Sequence, residues 1–213
     1  MGRRALKWLW LCLCLIWPGL AAAQVLPALY DVTGVAGSDV LNIRTNADAN
    51  SVIVATLRPD AKGVEVVALS PDGKWAQINN AETVGWASLR FLRKQNRPEW
   101  LALEYSLECS GTEPFWTLFI DPPVKSAHIN TPDEEGPEMD ILGYWPGTAM
   151  QPTAVVQFAS DDKNAIAVLR GQACLDGMSD QKFGISLDLF QQASPEKPGQ
   201  TLHGCCRLAP WAP

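Results

Sequence analysis

The chain of 213 residues lacks most of the signals from which an enzymatic or nucleic-acid reading begins. No window repeats apolar residues at i, i+3, i+4 and i+7 between capping residues, which excludes a fold built on amphipathic helices. Lys and Arg form no patch and number 17 against 23 Asp and Glu. Phosphate backbones are held by clustered cations, so nucleic acid is excluded as a partner. There are only two histidines, His128 and His203. No G-x-S-x-G nucleophile elbow, phosphate-cradling glycine loop or dinucleotide fingerprint occurs. The apolar run Trp8 to Leu20 has 13 residues, short of the ~20 that a membrane-spanning helix needs.

That short run is itself informative. Arg3, Arg4 and Lys7 precede it and Ala21-Ala22-Ala23 follow it, which is the three-part plan of a secretory signal peptide over residues 1–23. Cleavage after Ala23 leaves a periplasmic or secreted chain that begins near Gln24 and has no membrane span. Cys12 and Cys14 leave with the signal, and no cysteine stands at the cleavage point to carry a lipid.

Two asymmetries mark the remainder. Residues 24–95 hold seven basic and seven acidic side chains, whereas residues 96–213 hold seven basic and 16 acidic, a net of −9. An acidic half of this kind either attracts a basic protein or keeps a solvated face. The four remaining cysteines, Cys109, Cys174, Cys205 and Cys206, all fall in it. An even count in an exported chain predicts two disulfides. Neighbouring Cα atoms lie ~3.8 Å apart, too close for Cys205 to bond Cys206 comfortably. Two pairings survive: Cys109–Cys205 with Cys174–Cys206, or Cys109–Cys206 with Cys174–Cys205. Either one ties the C-terminus to the start and middle of the acidic half. Neighbours on a strand face opposite sides, so one bridge is expected in a core and one outside.

Short runs of Val, Ile, Leu and aromatic residues, separated by Gly, Pro, Asp and Asn, predict an all-β protein. In the first half they are 39–44, 51–57, 63–69, 74–79 and 84–89, with turns at Arg58-Pro59-Asp60 and Ser70-Pro71-Asp72-Gly73. They fit a small closed barrel over residues 24–94, followed by a polar linker at 95–100. In the second half eight runs, 101–109, 115–120, 125–130, 139–145, 153–159, 164–170, 184–190 and 201–208, predict an antiparallel barrel or sandwich over 101–213. Both faces of 115–120 are largely apolar, so that strand is expected to be covered on both sides.

The segments VTGVAGSDVLNIRTNADANS, GKW at 73–75, GW at 85–86 and FL at 91–92 resemble a bacterial SH3 (SH3b) domain over residues 30–94. Asn46-Ala47-Asp48 stands where many relatives place a proline. The resemblance implies an SH3-like barrel that binds cell-wall peptide or positions a neighbour, with Tyr30, Arg44, Trp75 and Trp86 as its ligand-binding candidates. The acidic half, through CSGTEPFW, CLDGMSD and HGCC, resembles a largely uncharacterised family of bacterial envelope proteins, which brings no activity with it.

Three groups of residues could carry chemistry in the acidic half. Glu113 lies beside Pro114, Phe115 and Trp116, where a desolvated carboxyl can act as an acid. With Asp176 or Asp180 across a groove it could hydrolyse a glycosidic bond, or each could simply close a turn. His203 beside Cys205 and Cys206 could bind copper or zinc, unless the sulfurs are bridged. The stretch DEEGPEMD, 133–140, offers five carboxylates without EF-hand spacing and is expected to be a solvated loop. No metal and no cofactor are expected, and no enzyme. The reading is an envelope protein that acts by binding peptidoglycan or another envelope component. The alternative is an inhibitor of a cationic lytic enzyme acting through the acidic domain, and behind that a carboxylate-dependent wall hydrolase.

Overall fold

The computed structural model of the chain describes residues 24–81, 83–161, 163–192, 196 and 198–209. The expected signal peptide, 1–23, lies outside the described residues. No α-helix occurs among them, and no helix is long and apolar enough to cross a membrane. The chain forms two antiparallel β units.

The first comprises β1 (Ala28–Val32), β2 (Leu41–Arg44), β3 (Ile53–Leu57), β4 (Val64–Leu69), β5 (Trp75–Asn80), β6 (Thr83–Ser88) and β7 (Leu92–Lys94). Its order is β3-β2-β6-β5-β4-β1-β7. Alternation drives the packing: Leu41 and Ile43, Ala76 and Ile78, and Ala87 turn inward with Val66 and Tyr30. The sheet was expected to close, yet its hydrogen-bonded order is open. Its ends are the three-residue β7 and the exposed β3, too short or too solvated to pair with each other.

The second unit comprises β8 (Leu107–Thr112), β9 (Phe115–Asp121), β10 (Ser126–Thr131), β11 (Glu134–Trp145), β12 (Thr153–Ala159), β13 (Asn164–Cys174), β14 (Phe183–Gln192) and β15 (Gln200–Leu208). These strands form a closed barrel in which β15 returns to pair with β8. Closure removes the edges that an eight-stranded sheet would expose. Inward side chains alternate along every strand, as Trp116, Leu118 and Ile120 do on β9.

The register decides between the two cysteine pairings. Cys206 lies opposite Cys109 on adjacent strands, and the two are bonded, with Cys174 bonded to Cys205. Cys109 and Cys206 are fully buried in the barrel core. Cys174 is only half-buried, on the outer side.

Three expectations change. Residues 101–106 are not strand: Trp100–Ala102 is a short 3-10 turn, and Trp100, at the end of the expected linker, is 1% exposed in the barrel core. Its large apolar ring is worth more as a plug than as part of a tether. Residues 134–138, expected as loop, begin β11, because pairing of Glu134, Glu135 and Glu138 to β10 satisfies the backbone there whatever the side chains. The outer face of β9 is not covered by the first sheet. Phe119 instead stacks on His128, with ring centroids 4.7 Å apart, and Phe115 stays half exposed.

The two units are seamed together at one end of the barrel. Leu29 of β1 belongs to the barrel core, alongside Trp100, Leu101, Leu103 and Tyr105. The Trp100 indole N–H donates to Leu26 O at 3.2 Å. Asn79 makes two bonds to the Lys182 backbone, at 2.7 and 3.0 Å. Gly184 faces Pro27 so closely that a Cβ there would lie 2.7 Å from Pro27 Cδ.

Candidate functional site

A groove of about 980 Å³ lies wholly in the first unit. Its floor and walls come from the loop before β2, from the turn before β5 and from the 3-10 turn Leu89–Phe91. The turn before β5 is built by Ser70 and Asp72. Ser70 donates its hydroxyl to Asp72 at 2.6 Å and accepts the Trp75 N–H at 3.0 Å. Asp72 also accepts the Lys74 N–H at 3.1 Å. These bonds, that of Ser70 foremost, hold the Asp72 carboxyl below its usual range. Gly73 supplies the positive φ of +67° that the turn requires. The result is a rigid platform carrying Lys74 and Trp75.

Facing it is Phe91, with the Arg90 guanidinium 4.4 Å from its ring centroid. Arg44 lines the same groove and spends one N–H on Ser51 O at 2.7 Å, which pins the loop after β2. Arg44, Lys74 and Arg90 stand against one carboxylate, Asp39, among the described lining residues. The groove can hold an extended, anionic chain, with ring faces for apolar groups and guanidinium groups for carboxylates.

The four ligand-binding candidates therefore separate. Arg44 and Trp75 meet in the groove. Trp86, opposite Arg44 and Gln77 in register, is half-buried on the outward face and is not among the groove's lining residues. Tyr30 is buried in the core of the first sheet, where burial raises its pKa, and the Gln24 amide hydrogen-bonds its hydroxyl. Lys74, Arg90 and Phe91 were missed. Lys74 and Phe91 sit inside the GKW and FL motifs, so the motif marked them, but only the folded turns show that they converge.

A second groove, of about 520 Å³, runs over the outer face of β15. It brings together Glu113, Asp176 and His203, but not Asp180, which is exposed on the neighbouring loop. Thr112 donates to Asp176 O at 3.2 Å and links the β8–β9 hairpin to that loop. Asp176 caps its own turn: it accepts the Met178 and Ser179 N–H groups at 3.1 and 2.9 Å and the Ser179 hydroxyl at 2.7 Å. Partial desolvation raises its pKa, and these bonds outweigh it, so the carboxyl stays below the usual range. Such a group is a poor proton donor. Glu113 is exposed at the hairpin tip beside Pro114.

His203 Nδ1 lies 2.6 Å from Asp188, which also pairs with Arg170. Burial raises the Asp188 pKa, but the bonds to Arg170 and His203 prevail and lower it. The imidazole is thus oriented, yet among the described residues no serine or threonine hydroxyl is hydrogen-bonded to it. Cys205 and Cys206, its expected partners in metal binding, are both bridged. Among the described residues no group of three His, Cys, Asp or Glu side chains is placed to hold a metal ion.

At the seam, Glu65 of β4 accepts the Leu208 N–H at 2.9 Å. Burial raises its pKa to about 7, against the opposing pull of the Leu208 bond and of Arg207. Arg207 is itself paired with Glu108 at 2.6 Å. Comparison with protein families, with curated proteins and with solved structures yields no match to this chain.

Proposed function

We propose that the chain is an exported, non-enzymatic binding protein of the cell envelope. Its first unit, read as an SH3-like module, holds cell-wall peptide in the groove between Trp75 and Phe91. What carries this reading is the conjunction in one cleft of two aromatic faces with Arg44, Lys74 and Arg90. A peptide strand with free carboxylates complements that lining, and another anionic envelope component would use the same contacts. Two disulfides in the acidic unit suit an oxidising compartment. Co-sedimentation of the mature chain with purified wall sacculi tests it. Retention that falls several-fold in Trp75→Ala is expected, and no retention of the unaltered chain removes the reading.

A second reading, inhibition of a cationic lytic enzyme, has one specific support. Exposed Glu134, Glu135, Glu138 and Asp140 share β11 with exposed Tyr144 and Trp145. Carboxylates speed the encounter with a basic partner and aromatic rings anchor it. A lysozyme lysis rate unchanged by excess protein at low salt counts against this. The hydrolase reading has less support, since Asp176 is committed to its turn and Asp180 lies outside the groove.

A further inference from the structure

The two ends of the barrel are built differently. The end toward the first sheet is stoppered by Trp100, Leu101, Leu103 and Tyr105. The opposite end has no such plug among the described residues and holds a cavity of about 220 Å³. Its floor is apolar, formed by the buried Trp116, Met139 and Leu202 with Ile129 beside them.

The cavity exists because Trp116 lies against one wall. On β8 and β15 the inward positions beside it are Gly111 and Gly204. A Cβ on Gly111 would lie 2.5 Å from Trp116 Nε1, and one on Gly204 would lie 2.8 Å from the far edge of the ring. The indole thus fills the space of two missing side chains and lies along the cavity wall. Apolar cavities of ~150 Å³ accept a benzene ring, so this one suits a body of about nine or ten heavy atoms.

The rim carries the charge. Glu134 and Lys163 line it, and the exposed Glu113, Asp133, Glu135 and Glu138 lie on the two hairpins that border it. In a unit of net charge −9, that rim favours a cation over an anion.

We propose that the open end of the barrel is a binding site for a small amphiphilic amine. Its aromatic or short alkyl body rests on Trp116, Met139 and Leu202, and its ammonium stays among the rim carboxylates. Neither the groove of the first sheet nor the wall-binding reading enters this proposal.

The test is a titration of the mature chain with 2-phenylethylamine, read from the methyl resonances of Met139 and Leu202. Saturable shifts of those methyls are expected. Phenylpropanoate, with the same body and opposite charge, should bind at least about fivefold more weakly. Thr131→Trp, an exposed rim position whose indole would cover the mouth, should abolish the shifts while the thermal midpoint holds. Glu134→Gln with Glu135→Gln should weaken the amine about threefold and leave the carboxylate no weaker. Absence of saturable shifts at millimolar amine overturns the proposal. So does equal binding of the carboxylate, or undiminished binding in a folded Thr131→Trp.

Discussion

The barrel and the first sheet solve the same problem with different resources. The barrel closes on itself, seals its core with a buried Cys109–Cys206 bridge and keeps a second bridge on its outer side. The first sheet stays open, has no bridge among the described residues and shares Leu29 with its neighbour's core. The barrel is therefore the scaffold, and the first sheet depends on it through the seam. The sheet, in turn, carries the larger groove and the more basic lining. A binding surface of loops and turns mounted on a stapled body is a common division of labour.

The sharpest way to break that comparison is to remove the core staple. Cys109→Ala with Cys206→Ala opens a loop of 97 residues, and should cost ~4–5 kcal/mol in urea unfolding, with both units melting together. Cys174→Ser with Cys205→Ser opens only 31 residues, and should cost ~3–4 kcal/mol at most. Equal loss from the two pairs would deny that the buried bridge is the dominant one.

Trp100→Ala comes next. It empties a buried ring site and deletes the bond to Leu26, so ~3–5 kcal/mol is expected from denaturant midpoints. Gly184→Leu attacks the seam alone. Overpacking against Pro27 should cost ~1–3 kcal/mol and separate one calorimetric transition into two, the first sheet melting first.

The smallest effect is a pH dependence. Glu65, raised to about 7 in the fold, holds a proton there that the unfolded chain has already released. Its contribution to stability is complete below its ordinary value and is lost as pH rises through about 7. Glu65→Gln should flatten the loss, by roughly 1–2 kcal/mol between pH 5 and pH 8, in paired thermal scans. A wild-type chain that gains stability across that interval contradicts the assignment.

Much of this architecture is legible in the chain. The period of two places Trp116, Leu118 and Ile120 on one face, and the eight runs of the acidic half become eight strands. Other parts are not. Trp100 reads as linker because a ring that plugs a barrel has no local period. Glu134 to Glu138 read as loop because their strand is fixed by partners, not by their own side chains. Both crossing pairings of the cysteines satisfy the same spacing, and only the register of β15 against β8 selects one. Glu113 and Asp176 line one groove, yet the hydrogen bonds that commit Asp176 to its turn cannot be read from CLDGMSD. The main groove depends on two turns meeting, so Trp75 was visible and Arg90 was not.

The role proposed for the basic aromatic groove of the first sheet is to hold an anionic wall peptide. The most direct measurement is calorimetric titration of the full mature chain with a soluble muropeptide, beside Trp75→Ala and Arg90→Glu. Saturable binding that weakens with salt and is lost in both variants is expected, while their melting midpoints stay near that of the parent. Binding retained in both folded variants, or no binding to the parent chain, would contradict it.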